Sequence, residues 1–428
     1  MSQVADFDAL IEAFNSSAKK VRDYLASQDT NDKAGQAEGS ETTEFPLALA
    51  PENVRDANKS MSEAMARIHQ MFLDPVELNA QTTVNFQHLS CIRWIVHFNI
   101  PAHIPLSEPI SYASVAQAAK VPEHQLRQIA RMAMTNGVFR EPSPNMLAHT
   151  PLSGKLATSP TFLETALFQA ETTASTAVKM TEMTSKYGGS EKPNETAHNI
   201  AMETDLPFFA YLSKNPKIAA RLQAAMKFVG GAEETHTAHL IQMFDWAGLG
   251  EAEVVDVGGS TGHVSIALAR AFPNLTFTVQ DLPVVVSKAT SSPLPPEIRD
   301  RIVFTSHDFF EPQPAASSRA SVFLVRMVVQ NHPRTAAQTI LRNIASAMKP
   351  DALILLNNHI LPEPGTVGLR DEARDRSRSL FMMQAMNGGD RDEEEFRELV
   401  EGAGAGLAVQ EVVKRKGSAL GLIVIKKL

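Results

Sequence analysis

Residues 254–272, VVDVGGSTGHVSIALARAF, constrain this chain more than any other stretch. An apolar run that reads as a buried strand turns through Gly258, Gly259, Ser260, Thr261 and Gly262 and continues as an Ala- and Leu-rich helix. Glycines let a backbone approach a ligand closely, and a helix N-terminus offers free N–H groups. Three further acids stand in register with this turn. Asp256 precedes the first glycine by two residues, Asp281 ends the next strand just before Leu282, and Asp308-Phe309 ends the third. An acid at the end of a second strand suits a ribose diol, and an acid beside an aromatic suits an adenine. On these residues alone a nicotinamide dinucleotide remains open.

The segments EVVDV, TFTVQDL, RIVFTSHDFF, SVFLVRMVV and ALILLNNHIL alternate with helical stretches, and GLAVQEVVKRKGSALGLIVIKK closes the chain as two extended runs around Lys416-Gly417. This pattern predicts an α/β fold, with a doubly wound, Rossmann-like domain over residues 236–428 ending in a hairpin. Upstream, residues 1–50 read as a helix over 1–26 followed by a polar linker. Residues 51–160 are mostly helical and end in two short helices with an extended, Pro-containing segment, a winged-helix pattern. Residues 161–235, rich in Ala and Met, read as a helical connector over the pocket.

Composition narrows the partners. With 43% hydrophobic and 21% charged residues the chain has an ordinary globular make-up, and a net charge of −8 argues against a phosphate-backbone partner. The second helix of the winged-helix stretch offers only Arg127 and Arg131, so packing or dimerisation is the expected role of that module. A single cysteine, Cys91, allows no intrachain disulfide. No apolar run is long enough for a membrane span, so the cytoplasm is the expected location.

DVGGSTG, QDLP, HDFF and ILPEPG, taken together, resemble the plant- and fungal-type small-molecule O-methyltransferases, the caffeate O-methyltransferase-like class, over roughly residues 58–427. The turn DFFEPQP resembles that family's DMFxPxP. The resemblance implies S-adenosylmethionine (SAM) as cofactor, with Asp256, Gly258, Gly259, Asp281, Leu282, Asp308, Phe309 and Arg326 around it. It also implies a homodimer formed through the N-terminal domain.

The family's catalytic base, a His in a run resembling LRMILHDWPD, departs here: LVRMVVQNHPR puts Gln330 at the His and Asn331 at the following Asp. A family acid that orients the His falls on Asn358 of ILLNNHILPE, and a second acid falls on Asp390 of NGGDRDEEEF. Gln cannot accept a proton at physiological pH, and losing a general base typically costs about 10²–10⁴ in rate. His332 is a candidate displaced base, because residues two apart on an extended segment share a face. His149 is a candidate hydrogen-bond donor to the pocket. His359 is expected on the opposite face from Asn358. His236 and His239 stand at helical spacing without a third ligand, so no metal site is expected.

Some proteins similar to this family keep SAM but lack the base and steer pericyclic reactions in fungal pyridone biosynthesis. The first expectation is therefore a SAM-binding pericyclase of the Alder-ene or hetero-Diels–Alder type. It would act on a polyketide-derived pyridone intermediate, with dehydration to a quinone methide as an optional step. Gln330, Asn331 and Asn358 would be neutral donors, and Met226, Phe228, Met327, Phe381, Met382, Met383 and Met386 adaptable apolar walls. The alternatives are a SAM-dependent O-methyltransferase of a phenolic or enolic metabolite, using His332 or an acceptor acidic enough to need no base, and a non-catalytic SAM-binding regulator.

Overall fold

A computed structural model describes residues 3–34, 45, 47, 50–230, 233–291 and 293–428. The chain divides into two compact units: Met1–Ala174 with Pro216–Phe228 and Val367–Ala373, and Ser175–Asn215 with Val229–Thr366 and Arg374–Leu428. Residues 161–235 thus contribute to both.

In the first unit the opening helix, Gln3–Ala34, runs past the start of the expected linker, of which residues 35–44 lie outside the described residues. Val21, Ala50, Val54 and Ala57 form the small core between this helix and the next, Glu52–Met71. Helix Pro75–His97 begins at Asp74, whose Oδ1 accepts from the Val76 and Glu77 amides at 2.8 Å each. The winged-helix expectation is met by β1 (Ile110–Ser111), helices Tyr112–Ala119 and Glu123–Met134, β2 (Arg140–Ser143) and β3 (Met146–Ala148), in sheet order β1-β3-β2. Tyr112, Leu126, Phe139 and Leu147 fill its core.

The two arginines of its second helix are already paired. Arg131 donates twice to Glu141, at 2.9 Å each, beside the Tyr112 hydroxyl, and Arg127 pairs with Glu123.

The second unit carries all seven expected strands: β4 (Ala252–Val257), β5 (Leu275–Asp281), β6 (Ile302–Ser306), β7 (Val322–Arg326), β8 (Leu353–Asn358), β9 (Leu407–Val413) and β10 (Gly421–Lys427). Their order is β6-β5-β4-β7-β8-β10-β9, parallel except for β10, which runs antiparallel to both neighbours. Successive residues feed opposite cores, as the period of two requires. Val255, Phe323 and Ile354 join one cluster, while Val254, Leu324 and Leu355 join Phe277 and Trp246 in the other.

Chain order reverses between β4 and β7, and in open α/β sheets such a switch point opens a ligand crevice at the strands' C-terminal ends. No helix among the described residues is long and apolar enough to cross a membrane.

Phe323 sits fully buried on central strand β7. Phe323→Ala is expected to destabilise the second unit by about 3–5 kcal/mol, read as a lower urea midpoint at unchanged slope. A loss below about 1 kcal/mol would mean that the sheet core is not packed as described.

Candidate active site

The C-terminal end of β4 leads into a loop whose glycines have no room for side chains. Gly258 and Gly262 have φ of 71° and 75°. A Cβ on Gly258 would lie 3.0 Å from Val328 Cγ2, and one on Gly259 would lie 2.6 Å from the Asp256 carboxyl carbon and 2.8 Å from Val279 Cγ1. The Gly258 and Gly259 amides donate to the Gln280 carbonyl at 2.8 and 3.1 Å, which ties the loop to β5. Asp256 is buried under it, accepts from Ser265 Oγ at 2.6 Å, and is pushed up to about 6 chiefly by burial.

Asp281 closes the loop from the side: Oδ2 accepts from the Ser260 amide and Oδ1 from the Leu282 amide, each at 2.8 Å. Each carboxylate oxygen keeps accepting capacity for a ligand hydroxyl. Leu282 is half exposed at the head of helix Pro283–Thr290. Beyond β6, Asp308 Oδ1 accepts from the Phe310 amide at 2.9 Å, and the Phe309 ring lies 3.7 Å from where a Gly258 Cβ would be. The glycine loop, the paired acids and Phe309 form a donor and acceptor set that fits an adenosine-bearing cofactor. Arg326, expected beside the cofactor, ends β7. Its guanidinium donates to Asn357 Oδ1 and to the Thr235 carbonyl, both at 2.9 Å, and so holds the ends of β7 and β8 together.

After β7, Met327 adopts a left-handed φ of 55°, and Val329–Asn331 form one tight 3₁₀ turn. That turn buries Gln330, and the Asn358 side chain at the end of β8 donates from Nδ2 to Gln330 Oε1. Two amides thus meet where the resembled family joins its base to its orienting acid. Gln330 Nε2 makes no hydrogen bond among the described residues, and Asn358 Oδ1 is buried without a partner. The Gly389 amide braces the Gln330 carbonyl at 2.9 Å, and Gly388, packed against the same carbonyl, has no room for a side chain. Asn331 Nδ2 reaches back to the Met327 carbonyl at 3.4 Å.

Two expectations are corrected by these contacts. The 3₁₀ turn removes the extended geometry that would let His332 share a face with Gln330. Instead the His332 ring lies edge-on to Phe309 and Phe310, at 5.5 and 5.2 Å, where burial pushes it down to about 4. His149 belongs to the first unit and has both nitrogens engaged, Nε2 with the Ile104 carbonyl at 3.1 Å and Nδ1 with Ser153 Oγ at 2.9 Å.

Asp390 is buried next to Gly389, but its Oδ2 accepts from Arg378 Nε at 2.8 Å, and its Oδ1 has no partner; burial raises its carboxyl above the usual range. His359 engages the Ala419 carbonyl through Nδ1 and is pushed down to about 3 by burial. His236 caps helix Thr237–Met243 by accepting from the Ala238 amide.

Of the expected walls, Met327, Phe381, Met382, Met383 and Met386 fall in the second unit. Phe381 lies edge-on to Phe208, and the Met382 and Met383 carbonyls accept from the Gly388 and Asn387 amides that lead toward Gln330. Met226 and Phe228 fall in the first unit, each 51% exposed, with Phe228 against Phe162.

Two residues stand out that sequence reading missed. Arg391 is buried and donates to the Val329, Gly389 and His332 carbonyls, clamping the turn that presents Gln330. His198 is fully buried with neither ring nitrogen bonded. The GGDRD run could have flagged Arg391, whereas nothing local marks His198.

Burial holds His198 near 4 and His359 near 3, whereas both titrate near 6.5 when unfolded. Between pH 6.5 and about 4 the unfolded chain takes up protons that the folded chain refuses, so their contribution is intact above 6.5 and lost as pH falls. Each should cost about 1–2 kcal/mol on going from pH 6.5 to 5. Urea unfolding at the two pH values measures this, and His359→Gln should reduce the difference. An unchanged difference in that variant would sink the assignment.

The O-methyltransferase domain family matches residues 187–406. The chain is 40% identical over 427 residues to the O-methyltransferase VdtC of Byssochlamys spectabilis, covering 99% of this chain and 98% of the relative. In fold it is similar to OxaC, with a TM-score of 0.74 at 18% identity and all of both chains covered. It is likewise similar to LepI in complex with SAM, with a TM-score of 0.67 at 19% identity over 95% of this chain and all of that one. This chain belongs to the O-methyltransferase family, and SAM is its cofactor.

Proposed function

We propose that the chain is a SAM-dependent O-methyltransferase of a phenolic or enolic metabolite whose hydroxyl is acidic enough to ionise without a side-chain base. The observation that carries this reading is the Gln330–Asn358 amide pair beside an intact cofactor loop. Similarity to an O-methyltransferase along nearly the whole chain supports this reading.

The cofactor supplies, when bound, an electrophilic methyl group on a positively charged sulfur. Asp281 and Asp308 would accept from its hydroxyl and amine groups, and the glycine loop would admit it closely. With Oε1 held by Asn358, Gln330 keeps its Nε2 hydrogens for the acceptor oxygen. A hydrogen bond to a charged oxygen is worth about 1.5–3 kcal/mol, and each 1.36 kcal/mol shifts a pKa by about one unit, so this donor would favour the phenolate. Arg391 would keep the donor in place by holding the turn.

The pericyclase reading stands second, favoured by the same pair, since a pericyclic step needs oriented donors and no base. Purified enzyme incubated with SAM and a panel of phenols and enols separates the two. Methylated product matched by S-adenosylhomocysteine supports the first, while an isomerised product with SAM unchanged overturns it.

Two variants follow. Gln330→Ala should lower kcat/KM about 10–100-fold, with the smallest loss on the most acidic acceptor. Asp281→Ala should weaken SAM binding about tenfold or more by calorimetry at unchanged fold. An effect of neither kind would detach these residues from the reaction.

Homodimerisation through the N-terminal unit is part of the proposal. Val76, Leu78, Phe86 and Leu89 stand exposed on helix Pro75–His97, with Val76 at 79%. Light scattering should give twice the 46.6 kDa of one chain, and Phe86→Glu with Leu89→Glu should give the monomer.

A further inference from the structure

Gln280, the residue before Asp281 on β5, holds two parts of the cofactor site at once. Its carbonyl accepts from the Gly258 and Gly259 amides at 2.8 and 3.1 Å, and the Asp281 side chain next to it accepts from the Ser260 amide at 2.8 Å. Its side chain grips the other part. Nε2 donates to Gln313 Oε1 at 3.0 Å and to Ser317 Oγ at 3.2 Å, which uses both of its hydrogens. Gln313 stands four residues after Phe309 in the segment that begins at Asp308, and Ser317 lies in the 3₁₀ helix Ala315–Arg319 just beyond.

All three side chains are buried, Gln280 with 1% exposed, and Gln280 Oε1 has no partner. A buried amide with an unpaired acceptor costs more than an apolar side chain of the same length, so packing alone does not account for a glutamine here. What the amide supplies is a tie. From the far side, Asn343 Nδ2 on helix Arg334–Ala345 holds the Phe309 carbonyl at 3.1 Å. The Gln280 side chain fastens the same segment to the strand whose carbonyl fastens the glycine loop.

We propose that Gln280 is a positioning residue for the adenosine half of the cofactor. Its carbonyl sets the glycine loop on the ribose side, and its side chain, through Gln313 and Ser317, sets the Asp308–Phe309 turn on the adenine side. One residue thus fixes the spacing between the two. This rests on the adenosine contacts read above for Asp281, Asp308 and Phe309, and the test keeps the two apart.

Gln280→Met keeps the side-chain length and the backbone bonds but removes the donor, and Gln313→Met removes its acceptor. Calorimetry well below each variant's Tm, where lower stability by itself leaves affinity unchanged, measures binding of S-adenosylhomocysteine and of 5′-methylthioadenosine, which lacks the amino-acid end. Each variant should weaken both ligands by the same factor, about five- to tenfold. The double variant should match Gln280→Met, because both changes cut one link. Ser317→Ala, a one-atom change that leaves the fold least disturbed, should weaken both ligands about two- to threefold.

Unchanged affinity in the 280 and 313 variants, with or without a lower Tm, would overturn the proposal. So would multiplying losses in the double variant, or a loss for S-adenosylhomocysteine that spares 5′-methylthioadenosine. Phe309→Ala tests the adenosine contacts separately: a loss there with none in Gln280→Met leaves that reading standing and removes the positioning role.

Discussion

The parallel pairing of β7 with β8 fixes everything that distinguishes this site. Its register sets Arg326 against Asn357, and the Met327 amide bonds the Asn357 carbonyl at 3.0 Å, so the chain leaves β7 beside the residue that follows Asn357. A one-residue slip would send Asn358 to the other face of the sheet, because side chains alternate with period two. In the observed register Asn358 meets Gln330 in the middle of the 3₁₀ turn. Arg391 clamps that turn through the Val329 and His332 carbonyls, while the Arg326 guanidinium ties the end of β7 to Asn357 on β8. The neighbouring β4–β7 pair, Val254 with Val322 through Asp256 with Leu324, opens the cofactor crevice next to it.

What results is a site poor in proton acceptors. Gln330, Asn331 and Asn358 are neutral, the His332 ring is pushed to about 4 against two phenylalanines, and Asp390 is engaged by Arg378. A base of such low proton affinity gains little by taking a proton from a phenol. An acceptor that arrives as an anion meets a different balance. It needs donors and a nearby positive charge, and the attraction of unit charges strengthens as water is excluded.

The sheet and the glycine loop were legible in the sequence because both are written locally. Apolar runs of strand length alternate with helical periodicity, and only glycines fit where Asp256, Val279 and Val328 leave no room for a Cβ. Gln330 and Asn358 were legible too, through their place in motifs. The histidines were not. His332 was misread because nothing local distinguishes an extended segment from a single 3₁₀ turn, and His149 because its partners Ile104 and Ser153 become neighbours only on folding. His198 could not be picked out at all, since its burial among Phe208 and Tyr211 is a tertiary fact. The opening helix extends to Ala34 through a polar stretch whose composition alone suggests a linker.

The paired nature of the amides follows from the cost of buried charge. Asn358 is fully buried, and an acid there depends on a cationic or donating partner to stay ionised. With Gln at 330 instead of an imidazole, an acid at 358 would lose the partner that stabilises its charge, at a cost of several kcal/mol. Changing both positions to amides removes the charge and keeps a hydrogen bond of similar reach, so the turn, the β7–β8 register and the cofactor crevice survive intact. Chemistry at this point of the fold can therefore change while its geometry stays, provided that positions 330 and 358 change together.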